Sequence, residues 1–306
     1  MSRPGPVLVT GAAGLLGNKV RQFLEERGDS VIAVDRSKGM KTFGPVTECD
    51  LADVHHMHAL VRNGLRGVIH CGAHSGPMVA RENPFSMVEV NIVGTANMLE
   101  IARIHGASRF IYCSSTSAFG PTPPGPVPED IALQPKTVYG ASKVAGEQLV
   151  STYASQYGLD GTSLRISWVF GPRRSTDCAI RTMIADAQAG SRTRFAFGKD
   201  FPRQYIYVDD AANALIQAFD RPELPRRVYT VTGGTYKTLG EIADLVRSII
   251  PGADIELGAG ADPVDDLQHE FDISAARRDL DYAPRHDLET RLRTYAAWLA
   301  EQSKAS

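Results

Sequence analysis

A tyrosine and a lysine four residues apart have the chemistry to oxidise an alcohol together. Tyr139 and Lys143 lie in the segment Tyr-Gly-Ala-Ser-Lys, and on a helix this spacing stacks both side chains on one face. A phenol ionises near pH ~10, and a neighbouring ammonium together with a positively charged nicotinamide would favour the phenolate. Tyr139 could then take the proton of a substrate hydroxyl while hydride leaves for the cofactor. Ser115, 24 residues earlier, could hydrogen-bond the same oxygen. We therefore predict Ser115, Tyr139 and Lys143 as catalytic residues.

A glycine-rich turn near the N-terminus indicates which kind of cofactor accepts the hydride. Residues 10–17 read Thr-Gly-Ala-Ala-Gly-Leu-Leu-Gly and stand between a predicted strand and a predicted helix. Gly11 permits the tight turn, Gly14 lets the backbone approach a pyrophosphate, and Gly17 lets the helix pack on the strand. The amides at the start of the helix, which begins with Leu15 and Leu16, would face the phosphates. The turn predicts a dinucleotide site.

The end of the second predicted strand indicates NAD. Asp35 follows Gly17 by 18 residues, and a carboxylate there can accept hydrogen bonds from both ribose hydroxyls while repelling a 2′-phosphate. Arg36 comes next and would weaken that repulsion. We therefore predict NAD as the cofactor, in preference to NADP, with both residues at its ribose.

Short apolar runs alternate with helical stretches over the first part of the chain. This alternation predicts an α/β fold, a Rossmann-type doubly wound parallel sheet. We assign residues 1–170 to an NAD-binding domain with the catalytic trio, and 171–306 mainly to a smaller mixed substrate-binding part, some of whose segments return to the main domain. The predicted strands are 7–10, 31–35, 68–71, 110–113, 162–167, 192–197 and 227–231, and the predicted helices are 15–27, 54–61, 84–105, 137–157, 209–219, 239–250 and 288–300.

Composition excludes several classes of partner. The 306 residues carry a net charge of −2, which offers no electrostatic footprint for nucleic acid or an anionic membrane. No apolar run is long enough to span a bilayer, and no signal peptide is visible, so we expect a cytoplasmic protein. The four cysteines form no Cys-x-x-Cys motif and predict reduced thiols, with Cys71 and Cys113 in buried strands. The cluster His55, His56 and His58 lacks a convincing ligand spacing, so no metal site is predicted.

Further segments extend the pattern along almost the whole chain, at 50–51, 70–73, 91–95, 114–115, 128–130, 164–165, 171–173 and 203–210. With the glycine turn and the Tyr-x-x-x-Lys pair, they make the chain resemble the extended short-chain dehydrogenases, the NAD-dependent epimerase/dehydratase group. The resemblance implies that Asn91 braces the cofactor side of the site and that Lys143 also holds the nicotinamide ribose. It also implies cofactor contacts along the dinucleotide, at the adenine for Asp50 and Leu51 and beside the pyrophosphate and a ribose for Cys71, Gly72 and Ala73.

Departures from the family pattern bear on the reaction and the substrate. Thr116 and Ser117 stand where dehydratases of the family carry Asp-Glu, so elimination of water lacks its acid and base. Trp168 stands where a nucleotide-holding Asn is usual, and a second phosphate arginine is not evident at 268–270. Arg203 matches the family arginine that meets substrate phosphate, although a guanidinium binds carboxylate equally well.

These features favour a small anionic or polyhydroxylated substrate over a nucleotide sugar. Positive charge at Arg173 and Arg203 suits an anionic group, and Trp168 would shorten the pocket. Ser75 and Thr116 lie in loops at the carboxyl edge of the predicted sheet, where ligands of such folds bind. We predict Ser75, Ser115, Thr116, Trp168, Arg173 and Arg203 as substrate-binding residues.

Three functions fit these residues. The first is an NAD-dependent oxidoreductase that removes hydride from a secondary hydroxyl of a sugar, sugar acid or polyol. The second is a nucleotide-sugar 4-epimerase, similar to UDP-glucose 4-epimerase, which returns the hydride to the other face. The third is an NAD-sensing regulator without turnover, against which the intact catalytic trio weighs.

We also predict a homodimer. In the family that the chain resembles, helices equivalent to 84–105 and 137–157 pack on their two-fold mates as a four-helix bundle. The first of these helices carries apolar residues at helical spacings, namely Val88, Ile92, Met98 and Leu99.

Overall fold

The computed structural model describes residues 5–38 and 44–304. Within these ranges the strands are β1 Val7–Thr10, β2 Val31–Asp35, β3 Thr47–Glu48, β4 Gly67–His70, β5 Arg109–Ser115, β6 Asp160–Ile166, β7 Trp168–Phe170, β8 Thr193–Phe195, β9 Pro202–Arg203, β10 Tyr205–Tyr207, β11 Val228–Val231, β12 Lys237–Thr238 and β13 Ile255–Leu257. The α-helices are α1 Leu15–Glu26, α2 Val54–Leu60, α3 Pro84–Val88, α4 Gly94–Ile104, α5 Val138–Tyr157, α6 Ala179–Gln188, α7 Val208–Asp220, α8 Leu239–Ile249, α9 Ser274–Leu280 and α10 Leu288–Lys304.

Parallel strands form one large sheet at the centre of the molecule. In the described ranges its order is β11-β6-β5-β4-β1-β2-β3, and every neighbouring pair is parallel. The strand order reverses between β1 and β4, which is the position where ligands of open α/β sheets bind. The predicted Rossmann-type fold is therefore confirmed.

Helices cover both faces of the sheet because its inner strands are apolar on both sides. One face packs on α1, α7 and α9, and its core includes Val9, Ile69 and Leu215. The other face packs on α2, α4 and α5 around Leu8 and Phe110. Burial on both faces explains why these strands read as continuous apolar runs.

The helix predicted over 84–105 is interrupted. It consists of α3, a π-helical segment Glu89–Val93, and α4. A π turn inserts an extra residue into the helix and occurs mostly at functional sites. Here it carries the buried side chain of Asn91 toward the cofactor side of the sheet.

The C-terminal part builds a second core from short elements. Helices α6, α8 and α10 pack around Phe170, Met183, Ile242 and Leu292, beside the two-stranded pairs β10-β7, β12-β9 and β13-β8. Strand β11 lies in the central sheet, although it belongs to this part of the sequence. The domain boundary at residue 170 stays a prediction.

A buried ion pair joins β6 to α5 below the predicted catalytic residues. Arg165 Nη2 lies 2.7 Å from Glu147 Oε2, and the hydroxyl of Ser114 donates to Glu147 Oε1 at 2.5 Å. Both charged side chains are almost fully buried. Such a pair is costly to break and therefore fixes α5 on the sheet.

Candidate active site

The carboxyl ends of β1, β2, β4, β5 and β6 line one cavity of about 640 Å³. Every predicted site residue except Asn91 and Arg203 lies in its wall. The structure thus brings together residues from Gly11 to Arg173 that are far apart in the sequence. Their individual roles stay predictions, and the local geometry indicates what each can do.

The glycine turn forms a tight cradle between β1 and α1. Gly11 has a φ of 66°, and a Cβ there would lie 2.8 Å from the Cys71 carbonyl carbon. A Cβ on Gly17 would lie 2.2 Å from the Gly11 carbonyl oxygen. Helix α1 begins without a side-chain cap, so the amides of its first turn have no intrahelical acceptor. These amides can bind an anionic pyrophosphate.

Asp35 closes the cofactor end of the cavity. Its Oδ2 accepts a hydrogen bond from the Ala13 amide at 3.0 Å, and its Oδ1 accepts from Ser37 at 3.2 Å. The carboxylate is therefore held toward the glycine turn, where its remaining acceptor capacity suits two ribose hydroxyls. Arg36 lies beside it in the wall.

Asn91 acts on the cavity through a neighbouring loop. Its Oδ1 accepts from the His74 amide at 2.8 Å, and its Nδ2 donates to the His74 carbonyl at 3.0 Å and to Ser142 Oγ at 3.0 Å. The Ser142 hydroxyl in turn donates to the Tyr139 carbonyl at 2.7 Å. Asn91 therefore ties the loop after β4 to the first turns of α5, which agrees with the bracing role that the resemblance implies.

A neutral histidine supports the same loop. His70 Nδ1 lies 2.6 Å from Thr10 Oγ1, and its Nε2 lies 3.1 Å from Thr95 Oγ1. Burial, together with the nearby charge of Lys143, lowers the pKa of His70 to about 3. Thr10 also accepts from the Gly72 amide at 3.0 Å, so this network joins β1, β4 and α4 directly below the cofactor cleft.

Lys143 places a buried positive charge at the end of β5. Its Nζ donates to the Cys113 carbonyl at 2.8 Å and lies 4.8 Å from the centre of the Tyr112 ring and 5.7 Å from that of Tyr139. Burial alone lowers the pKa of Lys143, but the neighbouring Tyr112, Tyr139 and Cys113 outweigh it and raise the pKa above its ordinary value. The side chain therefore stays charged over the physiological range.

Capping and strand-end interactions position the predicted catalytic residues. Helix α5 begins after Thr137, whose hydroxyl accepts from the Gly140 amide at 3.0 Å, and this cap places Tyr139 in the first turn. Ser115 is the last residue of β5, and its Oγ accepts from the Ser117 amide at 3.1 Å. Ser115, Tyr139 and Lys143 all line the same cavity.

Arg203 does not reach this cavity. Its guanidinium pairs with Asp262, at 2.7 Å, and with Asp265, and it lies 4.5 Å from the Trp168 ring. The expectation that Arg203 offers its charge to the substrate therefore conflicts with this arrangement. The sequence holds no pattern that identifies these aspartates, because they come from a distant and irregular segment.

Further wall residues lie in the loops after β4 and β7. His74 and Met78 follow β4, while Arg174 and Thr176 follow β7. Arg173, which has a φ of 72°, donates through Nη1 to Asn18 Oδ1 at 2.7 Å and so joins this second loop to α1. Position after the carboxyl end of a strand was the available signal for all of these residues.

Two further observations bear on the predicted partners. Across 5–38 and 44–304, no helix has both the length and the apolar character that crossing a membrane requires. Over the same ranges, no three His, Cys, Asp or Glu side chains come together as a possible metal site.

The chain matches the model of the NAD-dependent epimerase/dehydratase family over residues 7–232. It is 31% identical to UDP-glucuronate 4-epimerase 4 of Arabidopsis thaliana, over 95% of this chain and 74% of that protein. It is also 29% identical to mitochondrial L-threonine 3-dehydrogenase of Bos taurus, over 98% of this chain and 84% of that protein.

Solved structures of UDP-glucose 4-epimerases have a similar fold. UDP-glucose 4-epimerase of Thermotoga maritima, crystallised with UDP-glucose, matches with a TM-score of 0.90 and 25% identity over 97% of this chain and 99% of that chain. UDP-glucose 4-epimerase of Thermus thermophilus, in complex with NAD, matches with a TM-score of 0.85 and 26% identity over 96% of this chain and 99% of that chain.

The chain therefore belongs to the NAD-dependent epimerase/dehydratase family of extended short-chain dehydrogenases. It is an NAD-dependent enzyme that works by hydride transfer, and the predicted cofactor is confirmed. The cavity fits NAD, because the glycine cradle with its free helix amides and the Asp35 carboxylate complement a pyrophosphate and a ribose.

We expect Tyr139→Phe to lower kcat by about 10²–10⁴-fold while leaving NAD affinity nearly unchanged, because only the proton-transfer group is lost. Ser115→Ala should cost less, about tenfold, since one hydrogen bond disappears. NADH formation measures turnover, and calorimetry measures NAD binding. Tyr153→Phe, on the same helix but outside the cavity wall, is the matched control. Near-normal turnover of Tyr139→Phe would show that another group accepts the proton.

Proposed function

We propose that this enzyme oxidises a secondary hydroxyl of a small substrate without a nucleotide, a sugar acid or a related polyol, and releases NADH. One observation carries the proposal: the arginine that matches the family's phosphate contact is already paired with two carboxylates of its own chain. This pairing decides how much positive charge is left for a substrate.

Arg203 forms a cluster with Asp262 and Asp265 that carries no net positive charge. Arg203, Asp262 and Asp265 together carry one positive and two negative charges when all are ionised, and each side chain is about one tenth exposed or less. Asp262 Oδ1 also accepts from the Val264 amide at 2.7 Å, which holds this aspartate in place. A pyrophosphate brought here would meet two carboxylates. At about 4 Å and an effective dielectric constant near 20, each such repulsion costs about 4 kcal/mol, and the attraction of Arg203 offsets one of the two.

Burial raises the pKa of Asp265 to about 6, with Asp262 and Asp266 adding to the rise and Arg203 opposing it. Asp265 is therefore mostly ionised at neutral pH and neutralises Arg203 together with Asp262. Below about pH 6 protonation of Asp265 would free part of the Arg203 charge. Any binding of anions at Arg203 should therefore strengthen as the pH falls.

Two other arginines bring positive charge to the cavity wall. Arg173 donates to the amide oxygen of Asn18, and Arg174 donates to the Val169 carbonyl and, at 2.9 Å, to that of Asp177. Among the residues with described positions, no carboxylate forms an ion pair with either guanidinium. One carboxylate of a sugar acid matches this supply of charge, since a guanidinium binds a carboxylate through two parallel hydrogen bonds.

In the proposed reaction the substrate hydroxyl loses its proton while the carbon that bears it loses a hydride. NAD, when bound, supplies the acceptor of the hydride. Ser115 donates a hydrogen bond to the reacting oxygen, and Tyr139 takes its proton. The ammonium of Lys143 is buried close to the Tyr139 ring and stays charged, so it provides a fixed positive charge beside the reacting groups.

A nucleotide-sugar 4-epimerase is the second candidate. The relative at 31% identity is named UDP-glucuronate 4-epimerase, and the solved structures include complexes with UDP-glucose. Another relative supports the dehydrogenase proposal instead. It is named L-threonine 3-dehydrogenase, and the match covers 98% of this chain. A regulator without turnover finds no support among these relatives, all of which are named as enzymes.

The substrate test titrates the NAD complex with UDP, with UDP-glucuronate and with free hexuronates and aldonates, by calorimetry, and records NADH absorbance for each. We expect saturable NADH formation with a free acid and no micromolar binding of UDP. Arg173→Gln should raise KM for the acid about tenfold, because a charge-assisted hydrogen bond is lost. Arg293→Gln, whose exposed side chain pairs with Glu289, is the control. Micromolar UDP binding together with epimerisation of a UDP-sugar would overturn the proposal.

We also propose that two copies associate through the helices flanking the catalytic residues. Large apolar side chains lie exposed on α3, the π turn, α4 and α5, namely Phe85 at 64%, Val93 at 51%, Ile104 at 50%, Val138 at 45% and Tyr157 at 57%. Exposed apolar patches mark protein–protein contacts. Because α3 and α4 pack on α5, these side chains occupy neighbouring helices, consistent with a four-helix contact.

Sedimentation velocity at micromolar concentration should give the mass of a dimer. Val93→Glu should shift the protein toward monomer, because a buried unpaired carboxylate opposes the contact. Leu267→Glu, at a residue 45% exposed and outside these helices, should not. A monomer at all concentrations of the unmodified protein would refute the proposed dimer.

The cytoplasmic location expected from the sequence remains a proposal. Its support is that Cys49, Cys71, Cys113 and Cys178 all carry free thiols, as is usual in a reducing compartment.

A further inference from the structure

Two cysteines stand side by side at the carboxyl edge of the central sheet. Strands β4 and β5 are parallel neighbours, and their register ends with His70 beside Tyr112. The residue that follows each of these two is a cysteine, Cys71 and Cys113, and each thiol shifts the pKa of the other. Neighbouring strands lie about 4.8 Å apart, which is within the range of Cα separations that a disulfide spans, about 4.4–6.8 Å.

Both cysteines belong to the wall of the cofactor cleft. Cys71 precedes Gly72, whose amide is held by Thr10, and the Cys113 carbonyl accepts the hydrogen bond of Lys143 Nζ at 2.8 Å. A covalent change at this pair therefore reaches the backbone that positions the catalytic ammonium. Cys178 lacks this placement, since it lies in the C-terminal core. Cys49 also lines the cleft, but it follows β3, which β1 and β2 separate from β4.

The two thiols differ in reactivity. The neighbouring Cys71 thiol and the nearby Lys143 charge lower the pKa of Cys113 despite its burial, whereas the Cys113 thiol and burial raise the pKa of Cys71. Burial, with Asp53 and Asp50 nearby, raises the pKa of Cys49 to about 11. Because thiolates are the nucleophiles, Cys113 is the thiol that an oxidant meets first.

We propose that Cys71 and Cys113 are a redox-modification site, which a peroxide converts to a disulfide, and that this disulfide weakens NAD binding. The proposal concerns the cofactor cleft alone and does not depend on which substrate the enzyme oxidises.

The chemistry balances with a peroxide as the oxidant. The Cys113 thiolate attacks one oxygen of hydrogen peroxide, the O–O bond breaks, and the departing hydroxide takes a proton to become water. Cys113 is then a sulfenic acid. The sulfur of Cys71 attacks the Cys113 sulfur, the S–S bond forms, the S–O bond breaks, and a second water leaves with the proton of Cys71. Two thiols lose two electrons in total, and one peroxide gains them.

Cofactor binding and oxidation should oppose each other. A disulfide would tie the ends of β4 and β5 to each other and change the backbone that carries the Gly72 amide and the Cys113 carbonyl, the acceptor of Lys143. Conversely, bound NAD covers the cleft wall in which both thiols lie and should slow their oxidation.

The test treats the full chain with hydrogen peroxide and follows its intact mass, the linked peptides and the NAD affinity. We expect a loss of two hydrogen atoms, a Cys71–Cys113 linked peptide, an NAD affinity reduced at least tenfold, and full recovery with dithiothreitol. Saturating NAD should slow the cross-link. Cys71→Ala and Cys113→Ala should each abolish it, whereas the matched controls Cys49→Ala and Cys178→Ala should keep it.

A second probe needs no variant. Phenylarsine oxide bridges two thiols that lie close together, so it should bind the unmodified protein once and compete with NAD. Oxidation that yields only sulfinic acids, a cross-link between other cysteines, or a Cys71–Cys113 disulfide that leaves NAD affinity unchanged would overturn the proposal. None of these outcomes depends on a substrate, so they are distinguishable from failure of the proposed dehydrogenase activity.

Discussion

The buried ammonium of Lys143 is the interaction on which the rest of the site depends. A charge so far from water requires partners, and it finds them in the Cys113 carbonyl and the rings of Tyr112 and Tyr139. These partners are available only where α5 crosses the end of β5. The Thr137 cap, the buried pair between Arg165 and Glu147, and the bond from Asn91 to Ser142 all hold α5 at that crossing.

Electrostatics also divides the cleft into two halves. The cofactor half combines the free amides of α1 with the Asp35 carboxylate, and it suits a pyrophosphate next to a ribose. In the proposed substrate half, Arg173 and Arg174 lie at the wall, whereas Arg203 is paired with Asp262 and Asp265. Relatives that are named for UDP-sugars share the fold. We propose that the pairing of a few charges sets the substrate of this enzyme apart from theirs.

The sequence predicted the features that depend on short spacings. The Tyr-x-x-x-Lys pair and the glycine turn each extend over a few residues of sequence, where residue type and spacing determine geometry. The apolar strands of the sheet were also predicted, because each is a short run of neighbouring apolar residues. Strands β7, β9 and β12 are too short to show such a run in the sequence. The π turn at Asn91 escaped prediction because its residues also suit an ordinary helix. The pairing of Arg203 could not be foreseen, since its partners follow about 60 residues later in an irregular segment.

A crystal structure of this protein with NAD tests the central claim most directly. The quantities to measure are the distances from Lys143 Nζ to the hydroxyls of the nicotinamide ribose and from the Asp35 carboxylate to those of the adenosine ribose. We predict hydrogen bonds at both places, with the Lys143 contact to the Cys113 carbonyl retained and the nicotinamide beside Tyr139. A nicotinamide bound away from Tyr139, or a Lys143 that turns from the ribose, would contradict this prediction.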